Sequence, residues 1–237
     1  MKARRWSFTG LEQSRNCLKQ FDEVRNKKRF PYEATSVEAV WGRYAHKAFE
    51  DRQGTRVTLP QDLAHHEKFM KRMEAWAGDY FQTEMQVALD AKLKPCPFFG
   101  GDAVWWSGII DYLKVDAPAH RARIVDYKTG KRKPKPEQLE ENALWVWAQY
   151  PEVDVIDSFF YWTQAVDKDD DDAAIDRYVF SRKQIPELWA HAVPALKKLL
   201  EAYTNNVWPA KKSGLCGWCP VCDCEHWWDH NVGGPKR

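Results

Sequence analysis

The chain has 237 residues, 44% of them hydrophobic and 30% charged, with a formal net charge of +2. That balance fits a globular chain with one sizeable core and excludes a disordered or strongly polyionic one. No apolar run approaches the ~20 residues needed to cross a bilayer. The basic start, Met1-Lys2-Ala3-Arg4-Arg5-Trp6, has no apolar segment behind it, so no membrane partner and a cytoplasmic location are expected.

Residues 1–36 form an N-terminal segment in which Leu11, Cys17, Leu18 and Phe21 recur at helical spacing. Thr35-Ser36-Val37-Glu38 fits a capping box, with Thr35 as N-cap, and predicts a helix to about residue 52. Val37, Val40, Trp41, Tyr44, Ala45, Ala48 and Phe49 form its apolar stripe. Pro60 opens a second predicted helix to about Phe81, with Met70, Met73, Trp76 and Tyr80 as core contacts. The pattern then turns β-rich. Residues 83–91 alternate weakly, and 103–115 and 121–127 suit an antiparallel hairpin turning at 116–120. Pro134 and Pro136 break the chain before a helix over 137–149. Strands over 155–164 and 177–181 flank an acidic loop, 167–172, that reads as a solvated hairpin tip rather than a cation site. A last helix spans 184–204, with a kink expected at Pro194. Residues 205–230 hold a cysteine cluster. The order predicts an α/β (α+β) single domain over 1–237, a mixed β-sheet flanked by helices. Most of the 13 tryptophans should serve that core, although aromatic rings also stack on bases.

Asp126-Tyr127-Lys128 closes the apolar run Arg123-Ile124-Val125. Side chains alternate along a strand, so Asp126 and Lys128 share a face. Asp111 closes its own run, Gly108-Ile109-Ile110. Two buried acids repel each other unless a cation lies between them. Two acids holding a divalent cation, beside an amine that orients water and offsets phosphate charge, suit a metal-dependent phosphodiesterase. Gly42, His46 and Glu50 are spaced by four and share a helix face. Such a histidine is more often a satisfied core or surface residue, but imidazole beside two carboxylates would accept Mn²⁺ as well as Mg²⁺. Gln138, at a helix start, is placed to bond a phosphate or the Lys128 amine. The run Lys131, Arg132, Lys133 and Lys135 leaves directly from this strand, where it could contact a phosphate backbone. Arg25, Lys27, Lys28 and Arg29 form a second basic run.

Four of six cysteines fall in Cys216-x2-Cys219-x2-Cys222-x-Cys224. In a reducing compartment this spacing indicates a metal or cluster site rather than disulfides. Zinc could take Cys216 and Cys219 with Cys222 or Cys224, and then His226 or His230. Cys96 lies between two prolines and has no partner in sequence.

The strings Gly42-x3-His46-x3-Glu50, Gly108-Ile109-Ile110-Asp111, Val125-Asp126-Tyr127-Lys128-Thr129-Gly130-Lys131 and Gln138-Leu139 resemble the RecB-like branch of the PD-(D/E)XK nucleases. That branch includes RecB and AddB nuclease domains, CRISPR-associated RecB-type exonucleases and phage-encoded exonucleases. The resemblance implies a restriction-endonuclease-like core. It implies His46, Asp111, Asp126 and the Tyr127 carbonyl as metal ligands, Lys128 as catalytic lysine, and Gln138 as the glutamine of a Q-x3-Y motif. Asn142 stands at the tyrosine of that motif, which puts a DNA-positioning contact in doubt but not the metal chemistry. Glu84 matches no motif specifically. Ser7-x3-Leu11-x5-Cys17-Leu18-x2-Phe21 resembles the opening of members that carry an iron–sulfur cluster, with leucine where proline is usual. A [4Fe-4S] cluster on Cys17, Cys216, Cys219 and Cys224 is thereby implied, joining the N- and C-terminal segments, with zinc as the alternative. Together these imply a Mg²⁺- or Mn²⁺-dependent DNA exonuclease of phage or bacterial recombination, repair or processing, with Lys131, Arg132 and Lys133 on the DNA. A helicase or recombination protein would be a separate chain. The rival readings are an inactive DNA-binding or adaptor protein of the same fold and a zinc-stabilised nucleic-acid-binding module.

Overall fold

A computed structural model describes residues 5–30, 36–166 and 171–229. The chain groups into two compact units, one from 1–5 and 35–189, the other from 6–34 and 190–237.

The first unit is built on a mixed five-stranded sheet. Helix α1 (Phe8–Asn16) and α2 (Leu18–Phe21) belong to the second unit, and α3 (Val37–Thr55) opens the first. Then come α4 (Glu67–Ala75), β1 (Tyr80–Leu89), β2 (Trp106–Asp116), β3 (Arg121–Lys128), α5 (Pro136–Gln149), β4 (Val155–Trp162) and β5 (Ile175–Ser181). Helix α6 (Ile185–Asn205) carries the chain out of this unit and runs through Pro194 without ending there. The strand order is β1-β2-β3-β4-β5. The β3/β4 pair is parallel, as a crossover through α5 requires, and the other neighbours are antiparallel. The fold is thus the predicted α/β class.

Helices α3 and α4 cover one face of the sheet. Ala45, Phe49, Phe69, Met70 and Met73 pack with Tyr112, Val125, Tyr127, Phe159 and Tyr161. Phe69 stacks on Tyr161 with ring centroids 3.8 Å apart. Buried Arg52 ties the two helices together through Glu67 (2.9 Å) and Glu74 (2.6 Å). Helix α5 is buried along most of its length, from Leu139 to Trp147. Pro136 sits in its first turn, where a missing N–H costs nothing.

Several boundaries differ from the sequence reading. Ser36, not Thr35, caps α3, accepting the Ala39 N–H; Thr35 lies outside the described residues. Only the second half of the predicted α3 stripe is core. Val37 is 82% exposed and Val40 51%, whereas Ala45 and Phe49 are fully buried. Periodicity marks a face but not how far the neighbouring layer reaches along it. The predicted 60–81 helix is a 3-10 turn at Gln61–His66 followed by α4, and Tyr80 and Phe81 already lie on the exposed edge of β1. Among the described residues, no helix is long and apolar enough to cross a membrane.

In the second unit, α1 and α2 belong with residues 190–229. Ser7 caps α1 and Cys17 caps α2 through its sulfur. Phe21 stacks on Trp208 with centroids 6.1 Å apart, and the Tyr203 hydroxyl donates to Asn26 Oδ1 at 2.7 Å. These contacts, far apart in sequence, hold the N-terminal segment to the last helix.

Candidate active site

Asp126 and Lys128 stand on the last turn of the β3 pleat, and both point to its α5 side. The Lys128 amine lies 2.6 Å from Asp126 Oδ1 and donates to Gln138 Oε1 at 2.8 Å. Gln138, in the first turn of α5, donates in turn from Nε2 to Asp126 Oδ2. Lysine, aspartate and glutamine therefore close a three-membered ring of hydrogen bonds. The crossover geometry explains it: α5 starts a few residues after β3 ends, so its first turn lies over that strand end. Asp126 is buried, while Lys128 keeps about a quarter of its side chain exposed.

Asp111 comes from β2. The β2/β3 ladder stops at the pair Tyr112↔Val125. Beyond it the Asp111 carboxylate, not a backbone carbonyl, accepts the Tyr127 N–H at 2.8 Å. Asp111 thus joins the strand ends at the point where they part. Burial and then the neighbouring Asp126 charge push its carboxyl well above the usual carboxylate range, against the Tyr127 N–H.

His46 projects from α3 toward the same point. Its Nδ1 lies 3.5 Å from Asp111 Oδ2 and 4.0 Å from Glu84 Oε1, and the ring bonds the Tyr127 backbone. Burial lowers its pKa, which favours the neutral ring that a metal needs. Gly42, one turn earlier, lets Thr129 approach. A Cβ there would sit 3.0 Å from the Thr129 hydroxyl oxygen. Gly42, His46, Glu50 and Glu84 line an open cavity of about 460 Å³ together with Arg43 and Lys47.

Ligand atoms of His46, Glu84 and Asp111 all lie within 4.8 Å of one another. Glu84 is the residue that sequence reasoning left unassigned. Its φ is +46°, a left-handed backbone in the middle of β1, and the β1/β2 ladder skips the Glu84/Asp111 position. A bulky side chain rarely adopts this conformation, and here it stands where a carboxylate is turned toward a histidine. Burial and then Glu50 raise its pKa. No residue-type signal could have found it.

The remaining predicted residues divide. Lys131 and Lys133 are exposed. Arg132 is instead held by an ion pair with Asp176 and by a 2.9 Å bond to the Ala173 carbonyl. It anchors the loop to β5, and its charge is already matched. Asn142 is buried, so no DNA contact is available at that position of the motif.

In the second unit, Cys17, Cys216, Cys219 and Cys224 line one cavity of about 330 Å³, with Trp218 and Trp227. Cys222 is exposed and absent from its lining. The Cys17 sulfur accepts backbone N–H groups from Gln20 (3.5 Å) and Lys211 (3.4 Å), and Cys216 accepts one from Ser213 (3.3 Å). Burial first, and then the nearby Cys17, Cys224 and Cys216 sulfurs, raise the Cys219 pKa. His230 lies outside the described residues.

The sequence model of the PD-(D/E)XK nuclease superfamily matches residues 5–224. No curated protein matches the chain. Among solved structures, a candidate exonuclease from Eubacterium rectale is 13% identical with a TM-score of 0.51, covering 98% of this chain and 89% of its own. SSO0001 is also 13% identical, with a TM-score of 0.36 and coverage of 95% and 87%. At that identity the first likeness bears on the fold alone.

Proposed function

The chain belongs to the PD-(D/E)XK nuclease superfamily, and from that premise we propose that it is a metal-dependent DNA exonuclease. The observation that carries this reading is the Lys128 amine held between Asp126 and Gln138 beside the His46–Glu84–Asp111 group. The donors fit a hard or borderline divalent ion. They are carboxylate oxygens and one imidazole, and the crowding that raises the Asp111 pKa is relieved when a cation is shared.

His46, Asp111, Asp126 and the Tyr127 carbonyl would hold Mg²⁺ or Mn²⁺. Asp126 can do so while bonded to Lys128 and Gln138, because each carboxylate oxygen keeps a second lone pair. Such an ion supplies Lewis acidity toward a phosphodiester and a water of lowered pKa. Asp126 and Gln138 fix the Lys128 amine in one orientation. The amine can then steer the attacking water and offset charge developing on the phosphate. Lys131 and Lys133 add positive charge along the DNA approach, while Arg132 serves the loop.

For the second unit we infer a [4Fe-4S] cluster on Cys17, Cys216, Cys219 and Cys224. Four thiols lining one cavity, three N–H···S bonds and an excluded Cys222 support it. Zinc-bound thiolates sit closer together, since Zn–S bonds of about 2.3 Å place tetrahedral sulfurs under 4 Å apart. Among the described residues no three of these sulfurs form a group that tight. Brown protein with iron and sulfide supports the cluster, and colourless protein with stoichiometric zinc refutes it. A cytoplasmic role in bacterial or phage DNA recombination or repair, alongside a helicase or recombination protein, follows from the family resemblance alone.

The test is digestion of 5′- and 3′-labelled single- and double-stranded DNA with Mg²⁺ or Mn²⁺, beside Lys128→Ala. Progressive loss from one end, absent in the variant, is expected. Metal-independent or absent cleavage by folded protein would return the chain to the adaptor reading.

A further inference from the structure

On the α4 side of the sheet lies a second cavity, about 430 Å³, that the nuclease reading does not use. Arg123 is three residues before Asp126 on β3. It therefore sits about 10 Å back along the strand and on the opposite face. Each arginine here lies on an aromatic ring. Arg123 is 4.9 Å from the Trp76 centroid, Arg72 is 5.3 Å from Phe69, and Arg177 is 5.9 Å from Phe159. Trp76 itself stacks on Phe159 at 5.3 Å.

The carboxylates present do not match these charges. Buried Asp157 bonds Arg177 (2.6 Å) and Arg121 (2.8 Å), leaving Arg123 at 3.9 Å, beyond hydrogen-bond length. Arg72 pairs with Asp172, whose side chain is 77% exposed, and such surface pairs contribute little. Nη2 of Arg72 has no hydrogen-bond partner among the described residues. Four guanidinium groups thus meet two carboxylates. Among the described residues, Arg123 rests on Trp76 with no acid within hydrogen-bond length, and Arg72 keeps one buried N–H group unpartnered. Guanidinium donors left in that state can take up the oxygens of a phosphodiester.

We propose that this groove binds the backbone of a nucleic-acid strand outside the active centre. It is a sequence-independent contact, made by Arg72 and Arg123, that retains a strand beyond the residues that cut it. This goes beyond the exonuclease reading, because binding here needs neither metal nor Lys128.

Anisotropy of a labelled single-stranded oligonucleotide, titrated against salt in EDTA, tests it. Removing one arginine–phosphate pair lowers the slope of log K against log salt by about 0.7. Arg72→Gln and Arg123→Gln should each lower it by that amount, and the double variant by about 1.4. Lys92→Gln, in an exposed turn, controls for simple charge loss. If Arg123→Gln melts early, Arg72→Gln alone decides, since Arg72 is bonded only to an exposed partner. Unchanged slopes beside firm wild-type binding, or an equal drop in Lys92→Gln, overturn the groove and leave the nuclease reading standing. Wild-type protein that binds no strand in EDTA also overturns the groove, while the metal-dependent digestion assay decides the nuclease reading separately.

Discussion

Gly108→Ala is a one-carbon change that should be felt across the first unit. A Cβ at this position would fall 1.9, 2.4 and 2.8 Å from three ring carbons of Trp145. Carbon atoms rest at about 3.5–4.0 Å, so the ring must retreat by more than 1 Å. It has little room to do so. Trp145 is buried, and its ring lies 4.9 Å from that of Trp106, which in turn meets Trp189 at 4.8 Å. Overpacking of this kind costs about 1–3 kcal/mol, and a clash this severe belongs at the upper end. The stiffer unfolded chain of alanine returns about 0.5–1 kcal/mol. The net loss is about 2 kcal/mol, or roughly 4–8 °C in Tm for a chain of this size. Gln138 lies two helical turns before Trp145 on α5, so the same shift should loosen the bonds to Lys128 and Asp126 and slow turnover. Urea unfolding followed by circular dichroism measures the loss. Trp145→Leu should be less damaging when combined with Gly108→Ala than alone, with a coupling of about 1 kcal/mol or more. A Gly108→Ala midpoint equal to wild type, or strict additivity with Trp145→Leu, would refute the packing argument.

Lys128→Ala should cut DNA at least about 100-fold more slowly while calorimetry shows metal binding largely kept; loss of both would move Lys128 from chemistry to structure. Glu84→Gln should weaken Mn²⁺ binding about tenfold or more if the left-handed residue contributes a ligand, and equal affinity would show that it does not. His66 is buried, its Nδ1 is 2.9 Å from the Tyr161 hydroxyl, and burial followed by His65 lowers its pKa to about 4. The unfolded ring titrates at about 6.5 and takes up its proton first, so this stability is fully present above pH ~6.5 and is lost as pH falls toward 4. The full loss is about 3 kcal/mol, and His66→Gln should flatten that part of the stability–pH curve; an unchanged curve would exclude His66 as its source. Cys219→Ser should abolish iron content while Cys222→Ser preserves it, and the reverse would redraw the ligand set.

Much of the site was legible because short spacings fix geometry. A two-residue step places Asp126 with Lys128, and a four-residue step places Gly42, His46 and Glu50 on one helix face. The bond between Gln138 and the Lys128 amine was anticipated from the place of Gln138 at a helix start, and the β3–α5 crossover accounts for it. Glu84 was not, since a left-handed glutamate follows from how β1 meets β2 and from no property of its own residue type. The α4/β1 boundary was missed because Tyr80 continues the helical spacing of Met73 and Trp76. Arg132 looked like a DNA contact because its partner, Asp176, lies 44 residues away. Pairing at that range depends on the folded sheet.

The second unit is assembled from the first and last stretches of the chain, with the sheet encoded between them. A ribosome therefore makes all of the sheet before it makes the residues that complete the other unit. At ~5–20 residues per second, the 199 positions from Cys17 to Cys216 take about 10–40 s to translate. During that interval Cys17 is a thiol without its three companions, and α2 has only its own sulfur cap. Whatever fills the cysteine cavity must be delivered after synthesis has passed Cys224, to a chain whose sheet residues have all been made.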